Sequence, residues 1–163
     1  MNLTIREKLK SKYPSQIIEL IEGHFIVNKK AFKGVNQYRS DLANTLEIPK
    51  NQITNVDGSI PFEFFQVADL LKTIYYEHNS LGTLADFRQL ILKALPKINQ
   101  QPQLMSRKVH ELSNTEKMLV DTLSLILRKW SIAIITISSP VVSTLVSHLC
   151  SENSCILEIR EVN

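Results

Sequence analysis

The four histidines and two cysteines are the side chains most able to bind a metal or to act as nucleophiles. No two histidines lie three or four residues apart, and Cys150 and Cys155 cannot complete a tetrahedral site alone. His148 could add a third metal ligand to the two cysteines. The alternative is that both cysteines are small buried side chains that bind no metal. The chain has only four glycines and no glycine-rich phosphate loop. The sequence therefore predicts no catalytic residue, no cofactor and no metal ligand.

The most patterned stretch, residues 38–56, has the apolar spacing of a repressor-type helix-turn-helix. Pro49 could begin the second helix, but Glu47 occupies the place where the motif normally has a turn glycine. The polar face of that second helix would carry the candidate DNA-binding residues Lys50, Asn51, Gln52, Thr54 and Asn55. Two short helices packed in any helical domain are the alternative interpretation.

Aromatic side chains lie in or beside two predicted helices, and either fill a core or anchor a partner protein. The set consists of Phe62, Phe64, Phe65, Tyr75, Tyr76 and Phe87. As candidate partner-binding residues we take Phe62, Phe65, Tyr76 and Arg88.

Composition indicates a folded protein, because 44% of the 163 residues are hydrophobic and 21% are charged. The net charge of +3 is too small to indicate a nucleic-acid partner by itself. Lys29, Lys30 and Lys33 form either a solvated surface or a phosphate-contacting patch. Two cysteines and the lack of an apolar leader at Met1 predict a reduced, cytoplasmic protein.

Apolar periodicity and breakers predict helices at about 15–22, 64–75 and 84–95, followed by a linker at 98–103 within the polar tract 96–103, which contains two prolines. After the linker, a capping box at Ser113 and Glu116 begins a helix, and two β-branched runs predict strands that form a parallel pair around a helix at 141–150. The predicted fold class is α+β: a helical interaction domain at 1–97, a linker at 98–103 and a small helix-strand-helix-strand unit at 104–163. A membrane span at 131–150, which lacks charged residues, is the rival interpretation.

The order of features in residues 48–65 and 81–90 resembles a bacterial effector-associated, death-like adaptor domain over about residues 40–97. The shared features are a Gly-Ser turn before an aromatic-led helix and a Gly-x-Leu segment before a leucine-rich helix. This resemblance implies an adaptor without catalysis that binds another protein in a signalling or conflict system. We also expect that the chain could form a homo-oligomer, and we do not expect nucleic acid or a membrane as its partner. A helix-turn-helix transcriptional regulator is the alternative function.

Overall fold

The computed structural model describes residues 3–28, 35–98, 100–136 and 153–160, except for the side chains of 35–37 and 98. These residues form two compact units. The first unit contains residues 3–28, 35–56, 130–136 and 153–160, and the second contains 57–98 and 100–129. The first unit is therefore assembled from distant parts of the chain.

The first unit is built on a five-stranded mixed sheet with the order β1-β2-β5-β4-β3. Its strands are β1 Ile17–Ile21, β2 His24–Asn28, β3 Ile53–Val56, β4 Ile132–Ile135 and β5 Cys155–Arg160. Strand β1 is antiparallel to β2, and all the other neighbouring pairs are parallel. All four residues of β4 are buried, as expected for a central parallel strand covered on both faces.

Two helices complete the described part of this unit, α1 Ile5–Lys12 and α2 Val35–Leu46. Thr4 and Glu7 form a capping box at the start of α1. Alternate strand residues point to one face of the sheet, where they share a core with the helices. The buried members of this core are Ile5, Leu9, Phe25, Val27, Leu42, Ala43, Leu46, Ile53, Ile132, Ile134, Cys155 and Leu157.

The second unit is helical in the residues described, with α3 Val67–His78, α4 Leu84–Ala94 and α5 Asn114–Ser124 joined by short 3₁₀ segments. Ser113 and Glu116 form the capping box expected for α5. Sixteen buried residues, ranging from Val67 to Leu127, form the core of this unit. The predicted helices α3, α4 and α5 and the parallel β4–β5 pair are confirmed, with shifted ends.

The predicted fold class is wrong, because residues 1–97 do not form a helical bundle and instead supply three strands to a mixed sheet. The segment 15–22 is strand β1, not a helix, because Gly23 adopts a φ of 82° and allows a tight turn into the antiparallel strand β2. The predicted domain boundaries at 98–103 fall inside the second unit. Whether they separate two domains can be tested by measuring the folding of fragments that end at these positions.

The charge-free stretch 131–150 does not begin as a membrane helix, since Ile132–Ile135 is a buried strand. The predicted helix at 141–150 lies outside the described residues. Within the part of the chain that the structure describes, no helix is long and apolar enough to cross a membrane.

Candidate functional site

The carboxyl ends of the parallel strands β2, β5, β4 and β3 lie at one edge of the sheet in the first unit. Asn28 ends β2, Arg160 ends β5, and Thr136 follows β4. Open α/β sheets bind ligands outside the carboxyl ends of their strands, where loops and helix N-termini converge. The carboxyl ends of these four strands are therefore the first candidate site.

A buried ionic cluster joins strands β2 and β5. His24 Nε2 lies 2.8 Å from Glu158 Oε2, and both side chains are buried. Arg160 donates from Nε to Glu158 Oε1 and from Nη2 to Oε2, both at 3.2 Å. Burying a carboxylate costs roughly several kcal/mol unless it is paired and hydrogen-bonded. Glu158 meets this condition through His24 and Arg160. The cluster thus fixes β2 against β5.

A second candidate is a group of exposed phenylalanines in the second unit, which we call the phenylalanine surface: Phe62, Phe64 and Phe65. Phe64 is the most exposed, at 82%. The rings of Phe62 and Phe65 stack with their centroids 4.9 Å apart, and that of Phe64 lies 5.8 Å from the ring of His110. Three adjacent exposed aromatic rings are typical of a protein-binding surface.

The backbone beneath this surface is held in place. Val109 and His110 donate their N–H groups to the carbonyl oxygens of Phe65 and Glu63, each at 2.9 Å. Phe62 has a φ of 63°, a left-handed conformation that a bulky side chain rarely adopts. The hydrogen bonds to residues 109–110 therefore help to keep the three rings presented in one conformation.

The structure brings together only part of the predicted partner-binding set. Phe62 and Phe65 form the stacked pair, whereas Tyr76 lies on α3 with its ring against Tyr75, and Arg88 is exposed on α4. The contacts described for the second unit do not join Tyr76 or Arg88 to the phenylalanine pair. These four residues remain predictions, and sequence reasoning left Phe64 out of the set.

The candidate DNA-binding residues do not lie on a recognition helix. Lys50, Asn51 and Gln52 form one 3₁₀ turn, and Thr54 and Asn55 lie in β3, paired in parallel with β4. Gln52 is also engaged in the fold, because its backbone and side-chain oxygens accept hydrogen bonds from the N–H and Oγ of Ser131. The helix-turn-helix prediction is wrong because the second helix is replaced by a turn and an edge strand.

Asp121 is a buried carboxyl group that the sequence did not single out. Its Oδ2 accepts the backbone N–H groups of Asp57 and Gly58 at 3.1 and 3.0 Å. Burial raises the pKa of Asp121 to about 6, and these two hydrogen bonds and the Arg128 charge oppose that rise. A small cavity of about 20 Å³ beside it has room for one water molecule. Asp121 therefore holds the turn that follows β3.

No group of three or more His, Cys, Asp or Glu side chains in the described residues could hold a metal ion. Cys155 is buried in the core of the first unit, and Cys150 and His148 lie outside the described residues. The three-ligand hypothesis for these residues is therefore untested.

Comparison with solved structures identifies the fold. A putative ABC transporter (ATP-binding protein) from Pyrococcus furiosus superimposes with a TM-score of 0.56 at 16% identity, over 98% of this chain and 73% of that one. CbiO1 of Clostridium perfringens, part of the ABC transporter complex cbiONQ, gives 0.46 at 14% identity, over 100% of this chain and 65% of that one. No family model and no curated protein sequence matches the chain. At such identity the likeness shows the fold alone.

These comparisons overturn the functional predictions. The death-like adaptor resemblance is wrong, because such a domain is a small helical bundle, whereas this chain contains a five-stranded mixed sheet and superimposes on an ATP-binding protein. The predictions of an adaptor without catalysis and of a transcriptional regulator are wrong with it, since the fold is one that an ATP-binding protein uses. The expected protein partner is compatible with the likeness to the Pyrococcus furiosus protein, which is named as an ABC transporter (ATP-binding protein).

Proposed function

We propose that the protein is a nucleotide-binding domain of the ABC ATPase type that acts together with a protein partner. The observation that carries this proposal is the superposition of 98% of this chain, with a TM-score of 0.56, on an ATP-binding protein. In this fold class, the carboxyl ends of the parallel strands are where a ligand binds. A cytoplasmic location, where ATP is available, is part of the proposal.

The nucleotide phosphates would lie beside the carboxyl end of β2. The chain there passes from Asn28 through residues 29–34 to α2, and these six residues include Lys29, Lys30 and Lys33. Residues 29–34 lie outside the described part of the structure, so this step rests on their sequence and on the strand and helix they connect. Ammonium groups are ordinary partners of phosphate oxygens.

This segment departs from the glycine-rich pattern G-x-x-x-x-G-K-[ST], because Lys33 precedes its one glycine, Gly34, and Val35 follows. The hydroxyl that usually binds Mg²⁺ after the lysine is also lacking. A carboxylate follows β5, the neighbour of β2, in the sequence (Glu161), whereas residues 136–139 after β4 read Thr-Ile-Ser-Ser, so the usual set of Mg²⁺ donors is incomplete. Nucleotide binding would thus depend on lysine charge. We expect it to strengthen with phosphate number, weaken with salt and persist in a chelator.

The test is the binding of a fluorescent ATP analogue, with displacement by ATP, ADP and AMP. A variant with Lys29, Lys30 and Lys33 changed to Ala should bind about tenfold or more weakly, a loss of about 1.4 kcal/mol. The control changes three other lysines, Lys72, Lys93 and Lys97, and so alters the net charge equally.

Circular dichroism confirms that both lysine variants fold, and phosphate release in the same samples reports turnover. No displacement at millimolar ATP, or an equal loss of binding in both variants, would contradict the proposal.

The partner would dock on the phenylalanine surface. Its backbone is already held by residues 109–110, so ordering it costs little when a partner binds. A photocrosslinking residue at position 64 should capture one dominant protein in cells, and the same residue at Leu81, which is 96% exposed, should not. Equal capture at the two positions would count against this surface.

A further inference from the structure

Strand β1 is the outermost strand of the sheet in the part of the chain that the structure describes. Among the described strands it pairs only with β2, so alternate residues direct their N–H and C=O groups away from the sheet. Soluble proteins usually protect such an edge with proline, an exposed lysine, a bulge, an inward-pointing charge or a covering segment. Strand β1, Ile17–Ile21, contains neither proline nor lysine.

The side chains of this edge are apolar and exposed. Ile18, Leu20 and Ile21 are exposed by 68%, 52% and 59%. The one charged residue of the strand, Glu19, is neutralised by Arg6 at 2.6 Å and by Lys10 at 3.2 Å. The edge therefore offers unpaired backbone groups beside an apolar surface, which is the chemistry that recognises another β-strand.

We propose that β1 pairs antiparallel with β1 of a second copy of this chain. A pairing centred on Glu19 places Ile18 opposite the second copy's Leu20, and Ile17 opposite its Ile21. Glu19 then lies opposite the second copy's Glu19, and the ion pairs with Arg6 and Lys10 offset the repulsion between the two carboxylates. An antiparallel pair of identical strands is two-fold symmetric, and such interfaces are the commonest in homo-oligomers.

The charges around this edge do not oppose a second copy. Arg6 and Lys10 carry two positive charges, and Glu19 and Glu22 carry two negative ones, with Arg6 also 2.7 Å from Glu22. Because the cluster is neutral, two copies do not repel each other on approach.

The ladder between β1 and β2 changes register between Glu19 and Ile21, where Leu20 forms a bulge. The bulge limits the regular part of the edge, so we expect a weak dimer with a dissociation constant in roughly the micromolar range.

The experiment is sedimentation velocity over about 5–500 µM, with hydrogen exchange at both ends of the range. The wild type should self-associate, and amides of residues 16–22 should gain protection at high concentration. Ile18→Lys should weaken association by about tenfold or more. Leu81→Lys, on a similarly exposed leucine of the second unit, should leave it unchanged.

A protein that stays monomeric throughout would overturn the proposal. So would loss of association in Phe64→Lys without loss in Ile18→Lys, since that would assign the contact to the phenylalanine surface. Association without protection of residues 16–22 in the wild type would also overturn it, and this readout does not depend on a variant that folds.

Discussion

Protonation of Asp121 should favour the folded state, so the contribution of this group to stability should be larger in mild acid than at neutral pH. Its pKa is about 6 in the folded state, against 3.8 in an unfolded chain. Between these values the folded protein holds more protons, so the stabilisation is complete below about pH 4 and is lost as pH rises through about 6. The ionised form is penalised because the side chain is buried.

The size of this effect follows from the pKa difference of about two units. Each unit corresponds to about 1.4 kcal/mol, so the free energy of unfolding should fall by roughly 3 kcal/mol between pH 4 and pH 7 on account of this group. Asp57 adds to the rise in the pKa, and Arg128 opposes it.

Asp121→Asn tests this reasoning. The amide oxygen can still accept the N–H groups of Asp57 and Gly58, but the site carries no charge. At pH 7.5 the variant should be more stable than the wild type by up to roughly 3 kcal/mol, and near pH 4 the two should be similar.

The assay is urea denaturation at several pH values between 4 and 7.5, with Asp41→Asn, on the exposed surface of α2, as the matched control. If Asp121→Asn is less stable than the wild type at pH 7.5 and keeps its pH dependence, the assignment of the burial penalty is wrong. If Asp41→Asn shows the same gain in stability at pH 7.5, the gain results from the change in net charge and not from the burial of Asp121.

Two further predictions concern packing and chain organisation. Gly82→Ala should lower the stability by about 1–3 kcal/mol, because a Cβ at this position would lie 2.3 Å from Oη of Tyr75, a ring buried in the core; thermal denaturation measures the loss. A fragment of residues 57–129, which holds every described core residue of the second unit, should unfold cooperatively, whereas a fragment of residues 1–103, which lacks β4 and β5, should not. A cooperative transition in the longer fragment would instead support the domain boundary at 98–103.

Local signals in the sequence were sufficient to predict the helices of the second unit. Ser113 and Glu116 cap α5 through their own side chains, and Thr83 caps α4, so the information lies within three residues of each helix start. Asp121 was missed because its environment depends on Asp57 and Gly58, which are distant in sequence.

The first unit could not be predicted in the same way. A short apolar run such as Ile17–Ile21 fits either a helix or a strand, and its pairing with β2 determines that it is a strand. Thr54 and Asn55 have polar side chains typical of a recognition surface, yet parallel pairing with Ala133 and Ile134 makes them part of a strand. Such pairing is non-local, so neither composition nor periodicity reports it.

The position of β5 between β2 and β4 also affects the order in which the sheet can form during synthesis on the ribosome. At roughly 5–20 residues per second, β2 waits on the order of 10 s for its neighbour to be synthesised. The helical unit can meanwhile become compact, since all its described core residues precede β4. During that interval the nascent β1–β2 hairpin exposes both of its edges, which makes it a natural client for chaperones.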